Sequence, residues 1–408
     1  MIPTPAWLAT PLGATRCRVA FAAAFVLAGA LIGCASPERP VLTDAQLNER
    51  AQADAAETAE TLRAAIEKII DRIDAEEGRG GRVDFLAISG GGDKGAFGAG
   101  FLVGWGSAPG EWKRPEFDVV TGVSTGALIA PFAHLGTEED LLQVETFYRH
   151  PQKDWLRSRG WLFFLPSNPS FVSIPGLERD IREAVSPDFV ARMAQQSREG
   201  KVLAISATDL DFGRQKFWDL GAEAERATDD AGIDRVQRIL LSSAAIPAVF
   251  PPIEIGDGVY ADGGVTANVF LRLDRKDPNS LLSRWRRERP NTPLPPIRYW
   301  IIVNNQLLQP PATVQIRWPE VINPSLATSV RSATIAEIRW LAAEADYTNA
   351  VYGTDIEVRV VAIPNDWRAP VEGQFKEETM RSLSDLGREM GADPDSWTVW
   401  TTPVDRTP

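Results

Sequence analysis

The sequence predicts a mixed α/β fold on a mostly parallel sheet, and three stretches carry that prediction. Residues 83–89 (VDFLAIS), 117–120 (FDVV) and 202–208 (VLAISAT) are short, β-favouring apolar runs without strict alternation, the pattern of strands buried on both faces. The first runs into Gly90-Gly91-Gly92-Asp93-Lys94-Gly95 and the second into Gly122-Val123-Ser124-Thr125-Gly126, each followed by a small-residue apolar segment. Strand, glycine turn and helix in succession is the βα unit of such folds. A hydrophobic content of 44% with 24% charged residues is ordinary for a globular chain with a sizeable core. The net charge of -12 argues against nucleic-acid binding, which needs a basic face to neutralise phosphates.

In chain order, Arg16 and Arg18 precede an apolar run over residues 19–32 that is short for a membrane span. It closes on Leu31-Ile32-Gly33-Cys34, which resembles a bacterial lipobox. Residues 1–33 are then expected to be a lipoprotein signal peptide, with Cys34 lipidated and the chain anchored in the bacterial cell envelope. An ordinary signal peptide or an N-terminal anchor is the alternative. The only other cysteine, Cys17, lies within the segment to be removed, so neither a disulfide nor a cysteine metal site is expected. Residues 34–82 read as a polar, alanine-rich spacer followed by an amphipathic helix, with Leu62, Ile66, Ile69 and Ile73 on one stripe. That stripe is expected to pack on the main domain, because the polar face carries about as many acids as bases.

The helix after the first glycine turn is expected to bury Phe97, Phe101 and Trp105. The turn itself, with three successive glycines, leaves amides open to an anion, and two readings compete for it. A dinucleotide site wants an acid at the end of the next strand, but that strand ends in Thr121-Gly122-Val123-Ser124, with Asp118 at its beginning. A loop donating amides to an oxyanion beside Ser124 fits better. Gly122-Val123-Ser124-Thr125-Gly126 is the G-x-S-x-G pattern of a nucleophile elbow, whose serine sits on a sharp strand-to-helix turn at a helix N-terminus.

Residues 161–166 (WLFFLP) are either core or a lid or acyl-chain wall. Asp209 and Asp211 are read as a turn rather than a metal site. A helix over 236–245 and a proline-rich exit over 246–252 lead to Val259-Tyr260-Ala261-Asp262-Gly263-Gly264, which places a carboxylate at a strand end. Residues 282–289 (LSRWRRER) are expected to be a solvated basic loop, with a contact to anionic lipid as the alternative. Strands are expected over 297–304 and 356–363, a helix around 333–345, and a surface helix over 373–390 before an irregular end.

A serine nucleophile needs a base, and histidine is the usual one. His134 stands ten residues after Ser124 on the same expected helix, about 15 Å along it, and is out of reach. His150 lies in a polar stretch with nothing to position it. Asp262 is therefore the candidate base, provided that its site strengthens it by desolvation.

The glycine turn 90–95, the serine pentapeptide 122–126, residues 242–252 (SSAAIPAVFPP) and Asp262-Gly263-Gly264, in this order, resemble the patatin-like phospholipases. The resemblance implies a three-layer α/β/α fold, a Ser-Asp dyad and hydrolysis of acyl esters of lipids, with neither metal nor other cofactor. Residue by residue, it makes Ser124 the nucleophile and Asp262 the dyad aspartate. Gly91 and Gly92, with the neighbouring amide of Thr125, become the oxyanion hole. Gly90, Lys94, Gly95, Gly122, Gly126, Gly263 and Gly264 are motif positions, Lys94 standing where arginine is common. Membrane lipids are then both substrate and anchor, with no nucleotide or nucleic acid. The catalytic domain is expected over 83–365, with a C-terminal helix and tail over 366–408. A non-catalytic lipid-binding or envelope-assembly lipoprotein with the same fold is the alternative.

Overall fold

The computed structural model describes residues 39–75, 81–160, 168–271 and 277–402. Helix α1 (Asp44–Ala75) leads into β1 (Val83–Ile88), α2 (Gly95–Trp105), β2 (Val119–Val123), α3 (Thr125–Leu135) and α4 (Glu138–Arg149). A two-stranded hairpin, β3 (Arg157–Ser158) and β4 (Val172–Ser173), precedes α5 (Pro175–Ala184) and α6 (Pro187–Arg198). Then come β5 (Val202–Asp209), β6 (Arg214–Asp219), α7 (Leu220–Arg226), α8 (Asp230–Ser243), β7 (Ile253–Ile255) and β8 (Gly258–Asp262). The chain continues through α9 (Leu281–Glu288), β9 (Ile297–Gln306), α10 (Trp318–Tyr352), β10 (Ile356–Ile363), α11 (Glu377–Ala392) and β11 (Thr398–Trp400).

The main sheet has nine strands in the order β11-β10-β9-β1-β2-β5-β8-β7, with β6 paired to β5. From β10 to β5 every pair is parallel, and the antiparallel strands lie at the two ends. Every residue of β1, β2 and β5 is buried, because helices cover both faces. Leu86 and Ile88 of β1 pack with Phe97, Phe101 and Ile129 of α2 and α3. Phe85 and Ala87 face the other way, against Ile69 of α1 and Ile338 and Leu341 of α10. This is the expected mixed α/β architecture with a mostly parallel sheet between two helical layers.

Three stretches differ from expectation. Residues 281–288 form a helix rather than a solvated loop. Leu282 and Trp285, three apart, share its inner face, and Trp285 packs on Ile66 and Ile70 of α1 while Ser280 caps the start by accepting from the amide of Ser283. The alanine-rich stretch expected as spacer is already helical from Asp44, consistent with the high helix propensity of alanine. Its start is tied down by ion pairs from Arg39 and Arg50 to Asp211 and from Arg50 to Asp209, so the Asp209–Asp211 turn anchors the N-terminal segment.

The third is the C-terminal part, which is no surface appendage. β11 joins the sheet through β10. α11 lies directly on α2 with Gly387 and Gly391 facing its backbone, so that a Cβ at either would run into the carbonyl of Phe97 or Phe101. Glycine removes the side chain that would hold two helices 8–10 Å apart, and a stripe of small residues is easily mistaken for an outer face. Trp397 completes an aromatic cluster with Phe101, Trp105 and Trp300, at centroid distances of 5.1, 4.7 and 4.9 Å.

Candidate active site

The register of β5 brings the two candidate residues together. β2 pairs with β5 up to Val123 opposite Ser206, and β8, running antiparallel, ends with Asp262 opposite Ala207. Because β6 occupies the other edge of β5 over Ala204 to Asp209, β2 and β8 must share one edge and meet end to end. Ser124 leaves β2 where Asp262 leaves β8, which puts the Ser124 hydroxyl close enough to the Asp262 carboxylate to favour its charged form. Both are nearly sealed from water, at 5% and 6% exposure.

Ser124 has φ 54° and ψ -124°, a conformation that side-chain-bearing residues rarely adopt. The surroundings enforce it. Its amide donates to Ser243 Oγ at 2.9 Å, and Ser243 Oγ donates to the carbonyl of Ser206 at 2.6 Å. Its carbonyl is already the first acceptor of α3. Gly126 lets α3 approach β1, since a Cβ there would strike the carbonyl of Ile88. The segment 242–252 thus supports both members of the pair. Ser243 fixes the serine turn, and the carbonyl of Ala245 accepts from the amide of Asp262 at 2.8 Å.

The Asp262 carboxylate accepts from the amide of Gly264 at 2.8 Å, and its carbonyl from Thr208 Oγ1 at 2.9 Å. Burial pushes its pKa up to about 6, against the opposing effect of the nearby Ser124 hydroxyl and of the hydrogen bond from the Gly264 amide. An aspartate with that pKa is a far better proton acceptor than one in water. His134 is on α3, as expected, and burial drives its pKa down to about 3, so it stays neutral. His150 is exposed at the end of α4 beside Arg381 and Glu377. Neither belongs to the Ser124–Asp262 pair.

The glycine turn lies over Ser124: a Cβ on Gly90 would sit 3.0 Å from Ser124 Cβ. The amide of Gly90 is taken by Asn268 Oδ1 at 3.0 Å. Among the described residues the amides of Gly91, Gly92 and Thr125 donate to no protein acceptor. Gly92 opens a short 3-10 turn, and Gly95 begins α2 packed against Thr125, whose hydroxyl hydrogen-bonds the buried Tyr148. Gly122 packs on the first turn of α3, and Gly263 on the carbonyl of Ser206. Lys94 turns to Asn305 Oδ1 at 2.9 Å, and Asp93 accepts from the amide of Phe375 at 2.7 Å. Residues 161–166 and Cys34 lie outside the described residues.

Sequence reasoning missed two asparagines that hold this loop. Asn268 is 2% exposed and also donates Nδ2 to Thr334 Oγ1 of α10 at 2.8 Å. Asn304, fully buried at the end of β9, donates Nδ2 to the carbonyl of Ser89 and accepts at Oδ1 from the amide of Gly98, both at 2.9 Å. Its backbone amide donates to Ser89 Oγ at 2.9 Å. A signal for it was present: polar Asn304 and Asn305 end the apolar run of residues 299–303, at the same edge of the sheet as the glycine turn.

An α/β domain with an amide-rich glycine turn over a serine elbow is the class that this fold and site define. Residues 86–274 match the model of the patatin-like phospholipase family, and this part of the chain is a patatin-like phospholipase domain. Among solved structures the chain is similar to the crystal structure of VipD from Legionella pneumophila, at 11% identity and a TM-score of 0.35. That alignment covers 78% of this chain and 68% of VipD, a likeness too loose to carry further argument. Comparison with curated proteins gives no match.

Proposed function

We propose that this protein is a lipid acyl hydrolase that cleaves carboxylic esters through a Ser124–Asp262 dyad. The observation that carries the reading is the meeting of a serine on a strained turn with a buried aspartate at the facing ends of β2 and β8, inside a patatin-like domain. Asp262 takes the Ser124 proton as Oγ attacks the ester carbonyl. The negative charge that develops on the carbonyl oxygen is met by the amides of Gly91, Gly92 and Thr125 and by the N-terminal dipole of α3. The leaving alcohol takes the proton from Asp262, and the acyl group stays on Ser124. A water then gives a proton to Asp262 and attacks the acyl-enzyme, releasing the fatty acid while the proton returns to Ser124.

Asp262 must be ionised to accept a proton, and burial has raised its pKa to about 6. The rate at limiting substrate is therefore expected to be low at pH 5, to rise through about pH 6 and to level off above it. His134→Gln and His150→Ala are expected to keep that limb. Measurement of kcat/KM against pH on a soluble ester checks this, and a limb that disappears with either histidine contradicts it.

The Leu31-Ile32-Gly33-Cys34 sequence supports a lipid anchor at Cys34 in the bacterial cell envelope. Cys34→Ser is expected to release the protein from the membrane fraction and to abolish the mass of the attached acyl groups. Unchanged membrane association and mass would contradict the anchor.

A further inference from the structure

The N-terminal half of α10 overhangs the edge of the sheet on which Ser124 sits. β9 spans 10 residues, about 33 Å, and ends at that edge. α10 starts beyond it, runs back across the sheet and finishes where Asn349 caps the start of β10 at the opposite edge, a helix of 35 residues or about 52 Å. Two contacts fix the level of the site along the helix. Thr334 holds Asn268, which holds Gly90 over Ser124, and Arg331 donates to the carbonyl of Gln306 at 2.9 Å. Among the described side chains of α10, Thr334 is also the first that is buried. The turns before it therefore reach about 20 Å past the candidate site.

The chemistry of this projection is unlike that of the rest of the chain. Between Leu307 and Val330 the only charged residues are Arg317 and Glu320, in a protein that is 24% charged with a net charge of -12. Its exposed side chains include six large apolar ones, Leu308 (65%), Val314 (48%), Ile316 (100%), Val321 (44%), Ile322 (52%) and Leu326 (44%), among mostly uncharged polar neighbours such as Gln309, Thr313 and Gln315. A concentration of exposed apolar groups marks a surface that meets a partner.

We infer that residues 307–330 are a lipid-docking prow that enters the surface of a membrane and brings the mouth of the Ser124 site against it. Its place decides the partner. Whatever the projection touches lies in front of the serine, and the acyl ester that the proposed reaction consumes lies at a lipid–water interface; the inference rests on that reading for its choice of lipid over protein. The near absence of charge agrees, since apolar side chains enter the acyl boundary freely whereas charged ones resist it.

Two measurements on the full chain test this. A polarity-sensitive fluorophore on Leu326→Cys is expected to shift to shorter wavelength with phosphatidylcholine vesicles and to be quenched by nitroxide lipids. The same label on Val351→Cys, at the far end of the helix and 51% exposed, is expected to do neither. No shift at position 326, or equal shifts at both, would overturn the inference. The double variant Ile322→Glu/Leu326→Glu is expected to slow phospholipid turnover in vesicles at least about tenfold and to leave turnover of a soluble short-chain ester unchanged. Equal turnover of both substrates by variant and parent, or a parent dimer that the variant converts to monomer with label quenching lost only through dissociation, would assign the surface to something other than lipid. Because labelling needs no catalysis, a labelled site that enters vesicles in a chain that hydrolyses no ester would sustain the docking surface and sink the hydrolase.

Discussion

Asp262→Asn is expected to lose activity by about 10²- to 10⁴-fold and yet to be more stable than the parent protein at pH 8. Activity falls because an amide cannot accept the serine proton. Stability rises because the parent protein must keep a carboxylate ionised in a buried site. The sign follows from the direction of the shift: the folded pKa, about 6, lies above the unfolded value. The stabilisation linked to protonation is complete below about pH 4 and is lost as the pH climbs through 6. The difference between variant and parent should therefore be near zero at pH 4 and on the order of 3 kcal/mol at pH 8. Denaturant titrations at the two pH values measure it. An equal stability of variant and parent at both would mean that Asp262 bears no burial penalty, and with it the account of a strengthened base would fall.

Ser124→Gly is expected to abolish turnover and to raise stability relative to Ser124→Ala. Glycine ordinarily costs a fold about 0.5–1 kcal/mol relative to alanine. Here the order should reverse, because the backbone at Ser124 has φ 54° and ψ -124°, where a Cβ is strained by roughly 1–3 kcal/mol. Ser124→Ala keeps that strain while losing the hydroxyl. Both variants should be inactive, since among the described residues no other hydroxyl is hydrogen-bonded to the Asp262 carboxylate. An alanine variant more stable than the glycine variant would show that the turn is relaxed.

The parts of the site legible in the sequence were those where chemistry and backbone geometry demand particular residues. Glycines before α2 and around Ser124, and Asp262 at a strand end, stand in the sequence as local patterns, and the strand register then brings them together. The strands 297–304 and 356–363 were equally legible, the first because burial on both faces leaves an apolar run over residues 299–303, the second because buried Ile356, Val358 and Val360 alternate with half-buried Glu357 and Arg359. What was hidden depends on contacts between distant segments. Asn268 and Asn304 act through hydrogen bonds to residues 178 and 215 positions away, and an isolated asparagine carries no pattern. α11 looked like a surface helix because Gly387 and Gly391 carry much of its contact with α2, leaving Met380 and Leu383 as its only fully buried apolar side chains. The basic stretch 282–289 looked solvated because its arginines outnumber the Leu282 and Trp285 that bury one face. The length of α10 beyond 333–345 was hidden for the opposite reason: none of the described side chains on its overhanging turns is buried, so no periodicity announces them.

Fatty-acid release by the full chain from phospholipids, lysophospholipids, glycerides and short-chain esters, beside Ser124→Ala and with phosphonate labelling of both, tests the central claim most directly. The account predicts release by the parent protein, none by the variant, and a single phosphonate adduct at Ser124. Release that persists in Ser124→Ala, or a parent protein that neither hydrolyses any of these esters nor takes up the phosphonate, would contradict it and leave a non-catalytic lipoprotein that has kept the fold.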